Sequence, residues 1–379
     1  MKVYLDNNAT TKVDEEVVKA MIPYFSEYYG NPFSLHLFGN ETGLAVTQAR
    51  QTIADILKAK PNEIIFTASG SEADNLAIRG IAKAYKHRGK HIITSTIEHP
   101  AVKNTFMDLM EDGFEITMVP VDENGVMIMD EFKKALREDT ILVSVMHANN
   151  EVGSFQPIEE IAKITKERKI IFHVDAVQTM GKVEIYPEKM GIDLLSFSGH
   201  KFHAPKGIGV LYKRRPGTSN VPYIVGLAKA LQMAVANMKE VWDKEEKLRD
   251  YFEDEITKRI PEIKINGKGA RRLPGTSSIT FKYLEGESML LNLSLKGIAV
   301  SSGSACSSDS LQPSHVLLAM GIPAEFAHGT LRFSLSKYTT KEEIDYTIES
   351  LVEIIGKLRD LSPLWKTFRD NKLTNEASF

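Results

Sequence analysis

From about residue 14 to residue 213 the chain alternates short apolar runs with longer amphipathic stretches, and this alternation constrains its fold most. Helical periodicity covers Glu15 to Tyr29, Gly43 to Lys58 and Glu72 to Arg88. Strand-like runs lie at Glu63 to Thr67, His91 to Ser95, Ile116 to Val119, Thr140 to His147, Lys169 to Val174, Leu194 to Phe197 and Gly209 to Tyr212. Apolar runs spaced by helices predict an α/β fold with a mainly parallel, seven-stranded sheet covered on both faces. In such sheets ligands sit beyond the carboxyl ends of the strands. Nearly every polar cluster of this chain follows a strand.

Lys229 to Arg259 reads as one long helix, and a compact α+β pattern follows it. Strands are expected at Ser277 to Tyr283, Gly297 to Ser301 and Leu331 to Ser334, and helices at Ser314 to Met320 and Lys341 to Leu361. The stretch from Ser362 to Phe379 reads as an extended or partly ordered tail. A length of 379 residues exceeds one comfortable core. We expect a large domain over residues 14–245 and a smaller one built from 1–13 and 246–379.

A formal net charge of −3 gives no electrostatic reason to expect nucleic acid or a membrane surface. No apolar run approaches the roughly 18 residues that span a bilayer, and the N-terminus lacks a signal-peptide core. A cytoplasmic protein is expected. Its single cysteine, Cys306, excludes an intrachain disulfide and a thiolate zinc site, and no metal is expected.

The run Ser196-Phe197-Ser198-Gly199-His200-Lys201 carries the sharpest chemistry. A lysine delivered by a tight turn after a buried strand suits Schiff-base formation, because desolvation frees its amine. Ser198 and His200 beside it offer donors to a phosphate; a surface lysine in a loop is the alternative. Thr67-Ala68-Ser69-Gly70-Ser71-Glu72 is a small-residue turn opening a helix, whose N–H groups and Ser71 hydroxyl suit a phosphate. It lacks the lysine of a nucleoside-triphosphate loop. Asp175 ends a buried strand, where a carboxylate can hold a ring nitrogen protonated, or simply cap a helix. Gln178 follows three residues later. His99 can stack on a ring and shuttle protons, or be an ordinary satisfied histidine. Asn149 and Asn150 are turn formers that also follow a strand. Arg332, between Leu331 and Phe333, suggests a bidentate carboxylate clamp or an ordinary ion pair. Cys306 sits in a serine-rich run with little to pack, which suggests a nucleophile that travels.

Together these residues resemble the fold-type I enzymes that use pyridoxal 5′-phosphate (PLP), and more narrowly the cysteine desulfurases of the NifS/IscS type. The resemblance rests on Tyr4 to Thr11, Gly30-Asn31-Pro32, Thr67 to Asn75, Glu98-His99, Asn149-Asn150-Glu151, Asp175 to Gln178, Ser198 to Lys201 and Ser302 to Cys306, in family order and spacing. It implies that Lys201 holds PLP and later acts on the substrate Cα proton. Asp175 would bond the ring nitrogen and Gln178 the ring hydroxyl oxygen, with His99 stacked on the ring. Gly70, Ser71, Ser198 and His200 would bind the phosphate, and Thr218 would reach the phosphate of a second subunit in a homodimer. Asn150 and Arg332 would hold the carboxylate of L-cysteine. Cys306, on what resembles a long mobile loop, would take the sulfur as a persulfide and leave L-alanine. An iron–sulfur scaffold or another sulfur acceptor is the implied partner, with Ser362-Pro363-Leu364-Trp365 similar to its docking region. Two departures stand out. Ala68-Ser69-Gly70-Ser71 replaces the family's turn ending in threonine, and the glycine- and arginine-rich segment after Arg215 is shorter. A selenocysteine or β-eliminating lyase, and a weakly catalytic sulfur-transfer partner, are the rival readings.

Overall fold

The computed structural model describes residues 1–213, 221–302 and 312–376. A seven-stranded sheet forms in the spatial order Ile64–Thr67, Gly209–Lys213, Leu194–Ser198, Ile171–Asp175, Thr140–Met146, His91–Ser95, Glu115–Val119. The last five strands are parallel, while Gly209–Lys213 runs antiparallel to both of its neighbours. Two reversals restore direction, so Ile64–Thr67 points the same way as the parallel set. The chain therefore leaves the sheet at one shared edge after Thr67, Ser95, Met146, Asp175 and Ser198.

Alternation along the strands divides the sheet's two coats. On one face Ile92, Leu142, Leu194 and Leu211 pack against Ala73, Ala77 and Ile78 of the helix Gly70–Tyr85 and against Val102 and Phe106 of the helix Pro100–Glu111. On the other, Ile93, Val143, Phe172, Val174, Leu195 and Val210 pack against Ile53 and Leu57 of the helix Leu37–Leu57, Ile161 of the helix Ile158–Arg168, and Leu227 and Leu231 of the helix Val221–Ala236.

A second sheet, antiparallel, takes the order Ser301–Ser302, Thr330–Ser334, Thr276–Phe281, Ile263–Ile265. Phe252 and Ile256 of the helix Met238–Arg259, and Ile344, Ile348 and Leu351 of the helix Lys341–Leu361, cover it. Residues from the chain's start join this unit. Val3–Tyr4 pairs with Ile298–Ala299, and Asp6 bridges Ser334.

Three expectations change. The long helix after residue 229 is two, Val221–Ala236 and Met238–Arg259, parted at Asn237. The Asn237 amide donates to the Met233 carbonyl at 3.0 Å, the local competition that disfavours asparagine inside helices. The helix begun at Glu15 also stops, at Met21, before a short turn opened by Pro23. The tail is not extended but forms the helix Pro363–Glu376. Ser362 accepts from Trp365 N, and Trp365 and Phe368 pack on Tyr283, with the Arg359 guanidinium 4.2 Å from the Trp365 ring. No helix among the described residues is long and apolar enough to cross a membrane.

Gly209 sets how closely the antiparallel strand approaches the Thr67–Gly70 turn, because a Cβ there would lie 2.5 Å from the Ser69 carbonyl. Gly209→Ala should therefore cost about 1–3 kcal/mol of unfolding free energy in urea titration; an unchanged midpoint would refute this close-approach role.

Candidate active site

Five turns and the N-terminal segment converge at the shared strand edge. The strand Leu194–Ser198 passes directly into the 3₁₀ turn Gly199–Lys201. That turn is pinned by Gly199 N–H to Ile208 O at 3.0 Å and by buried Phe202 against Phe197. Lys201 Nζ donates to the carbonyls of Asn8 at 2.6 Å and Ala9 at 2.8 Å. Asn8 O also accepts from Gln178 Nε2 at 3.0 Å, and Asn8 Nδ2 donates to Asn150 O and Thr276 Oγ1. Asn8 thus joins three site residues to the second sheet.

Asp175 ends its strand with Oδ1 accepting from Val177 N at 2.9 Å. Burial pushes its carboxyl up to about 6, against the opposing pull of the Lys201 ammonium. Gln178 Oε1 is buried with no hydrogen-bond partner. His99 caps the helix Pro100–Glu111, its Nδ1 accepting from Ala101 N at 3.1 Å. The neutral ring therefore carries its proton on Nε2.

The phosphate-like turn is built by Ser69, which accepts from Glu72 N, and by Thr67 Oγ1 donating to Ser69 O. Gly70 lies against the Lys201 turn: a Cβ would meet Val177 Cγ2 at 2.8 Å and Ser198 Cβ at 3.1 Å. The Ser71 side chain is exposed and that of Ser198 is buried. His200 Nδ1 pairs with Thr10 Oγ1 at 3.1 Å.

The two asparagines divide their work. Asn149 is structural: Oδ1 accepts from the N–H groups of Glu151 and Val152, and Nδ2 donates to Ile97 O. The buried Asn150 uses its backbone carbonyl, which accepts from Asn8 Nδ2 and Arg332 Nη1. Arg332 Nη2 pairs with Asp6 Oδ1 at 2.8 Å, so the ordinary ion pair is present, while its buried Nε has no partner. Thr218 and Cys306 lie outside the described residues.

Sequence reasoning missed Asn8 as the hub, although it lies in the quoted Tyr4 to Thr11 motif. It also missed the downstream clasp, in which Ser314 donates to Glu151 and His315 Nε2 donates to Glu98 O at 3.0 Å. The only advance signal for the clasp was a polar pair opening a predicted helix. Burial, with Lys201 and His315 nearby, holds the His99 pKa down at about 4. Imidazole nitrogen shifts of His99 should stay those of a neutral ring from pH 5 to 8; a midpoint near its ordinary 6.5 would refute this.

Against known proteins, the family model described as Aminotransferase class-V matches residues 3–216 and 212–347. The cysteine desulfurase IscS of Dictyoglomus turgidum is 49% identical over 389 residues, spanning 98% of this chain and 99% of the relative. A solved NifS-like protein superposes with a TM-score of 0.88 at 40% identity, covering 94% of this chain and all of that one. A structure titled SspA in complex with cysteine gives a TM-score of 0.77 at 36% identity, covering 89% of this chain and 100% of that one. A sheet whose strand ends gather a lysine, a buried aspartate and a small-residue helix start agrees with that kinship, and the chain belongs to the class-V aminotransferase family, among its cysteine desulfurases.

Proposed function

We propose that this enzyme uses PLP to remove sulfur from L-cysteine, passing it to Cys306 as a persulfide and releasing L-alanine. The observation that carries the reading is the convergence of Lys201, Asp175, Gln178 and the Gly70 turn at one sheet edge. The residues fit the cofactor. The orphaned Gln178 Oε1 suits a ring hydroxyl, and buried Asp175 suits a protonated ring nitrogen. Gly70, Ser71, Ser198 and His200 would bind the cofactor's phosphate.

When bound, PLP supplies an electron sink for bonds breaking at the substrate's α-carbon. Lys201 would hold the cofactor through its aldehyde carbon, and its amine would carry the proton from Cα. Asp175 would keep a proton at the ring nitrogen, and neutral His99 would lie against the ring and exchange protons through Nε2. Asn150 and Arg332 would orient the substrate carboxylate. The Cys306 thiolate attacks the substrate sulfur; the carbon–sulfur bond breaks with its electron pair left on carbon, which takes a proton on the way to alanine.

The proposed unit is a homodimer in which Thr218 reaches the partner's phosphate. Its support is an apolar surface from Phe25 to Phe38, where Tyr29 is 68% exposed, Phe33 65% and Leu35 96%. Residues 14–245 form the proposed cofactor domain, and 1–13 with 246–379 the smaller one. An iron–sulfur scaffold or other sulfur-acceptor protein is the proposed recipient, in the cytoplasm. Trp365 packs on Tyr283, so exposed Leu361 and Leu364 are the better docking candidates near it.

With L-cysteine and reductant, the native enzyme should yield sulfide and alanine in equal amounts, and Cys306→Ala should lose both. Alanine or pyruvate formed without Cys306 would overturn persulfide transfer and indicate a lyase. Arg332→Lys should raise KM for L-cysteine about tenfold or more while cofactor absorbance persists, because an ammonium cannot reproduce the planar fork. An unchanged KM would remove Arg332 from substrate binding.

A further inference from the structure

A second polar layer lies beneath Asp175, and none of the roles above uses it. His173 precedes Asp175 by two residues and shares its sheet face. His173 Nδ1 pairs with Ser144 Oγ at 2.8 Å and Nε2 with Ser196 Oγ at 2.9 Å. Ser196 stands directly beside Asp175 in register. Asp74, one helical turn beyond Gly70, comes down onto this layer: its Oδ1 is 3.6 Å from His173 Nε2, and its carboxyl interacts with the Ser196 hydroxyl. Asp74 is 1% exposed, and Oδ1 has no hydrogen-bond partner.

The titratable groups facing Asp74 are His173 and Asp175 from the sheet and Glu98 from the turn after Ser95. No lysine or arginine among the described residues forms an ion pair with it. Glu98 accepts from Ser95 Oγ and from Met146 N at 3.1 Å. Three carboxyls thus share one dry region, where each added charge is costly. Lys201 draws the charge to Asp175. Burial raises Asp74 well above the usual carboxylate range and lowers His173 to about 3, in agreement with a layer that carries no charge.

We propose that Asp74 is a positioning residue: as a neutral acid it starts the hydrogen-bond chain Asp74 to Ser196 to His173 to Ser144, leaving Asp175 the charged carboxyl facing the cofactor. The inference rests on the proposed cofactor role of Asp175. The direction of the chain follows from counting protons. A neutral Asp74 donates to Ser196 Oγ, Ser196 donates to His173 Nε2, and His173 Nδ1–H donates to Ser144. An ionised Asp74 reverses every bond and places the ring proton on Nε2. The Nδ1–H tautomer of His173 therefore requires a neutral Asp74.

The test is nitrogen-15 NMR of histidine-labelled whole protein, with and without PLP, His173 being assigned by its loss in His173→Gln. The Nδ1–H tautomer at neutral pH is the expected result; an Nε2–H or doubly protonated ring overturns the proposal. This reading needs no bound PLP, so failure of the native protein to take up PLP would count against the proposed function separately. Asp74→Leu should weaken PLP binding about tenfold, the scale of one lost buried hydrogen bond, and shift the cofactor's absorbance–pH midpoint. Asp74→Asn, neutral and able to donate, should restore both. Unaltered binding and midpoint in Asp74→Leu, or equal damage in Asp74→Asn, would overturn the positioning role. If the leucine variant does not fold, the NMR result and Asp74→Asn still decide.

Discussion

The Asn8 carbonyl, accepting from Lys201 at 2.6 Å and from Gln178 at 3.0 Å, is the contact on which the site depends. Its own position is held from the opposite side. Asn8 N–H donates to Ser334 Oγ, and its amide reaches Thr276. A loop residue thereby takes its geometry from two strands of the second sheet and gives it to the turns of the first. Gln178, Ser334 and Thr276 are buried, so a bond lost to any of them would leave an unsatisfied group rather than one re-solvated by water. The lysine is aimed by the fold's two cores together.

Charge is managed in the same manner. The edge of the large sheet gathers Asp175, Glu98, Asp74, His99, His173 and His200, most of them screened from water. Burial pushes Glu98 up to about 8 and holds His200 down at about 4, so these two groups are neutral near pH 7. The residual charge concentrates where an ammonium can oppose it. A site that handles a zwitterionic amino acid thereby keeps its charged contacts few and specific.

Much of this was legible in the sequence, for physical reasons. Strands buried on both faces must be apolar throughout, so Thr140–Met146 and Leu194–Ser198 were found within a residue or so of their ends. Asp175 and Lys201 were legible because charged residues directly after such strands have few structural uses. Asn8 was not, because its importance lies in partners as far away as Ser334, 326 positions along the chain. The helix Pro363–Glu376 was missed because a mixed segment gains its helix from docking Trp365 and Phe368 on Tyr283. His173 carried a faint signal, since its spacing of two from Asp175 put both on one sheet face. Its neutrality depends on Ser144 and Ser196, which only the sheet register reveals.

The pairing of Val3–Tyr4 with Ile298–Ala299 also sets an order in time. Synthesis delivers the N-terminal strand first, yet its partner is nearly three hundred residues away. During translation the large sheet can close while residues 1–9 have nowhere to dock, and the lysine turn forms without the carbonyls that aim it. The site is completed only after Ser334 has emerged and the second sheet has captured the chain's beginning. An unfinished chain therefore holds the chemical groups of the site without their alignment, and reactive capacity appears at the end of synthesis, together with the complete fold.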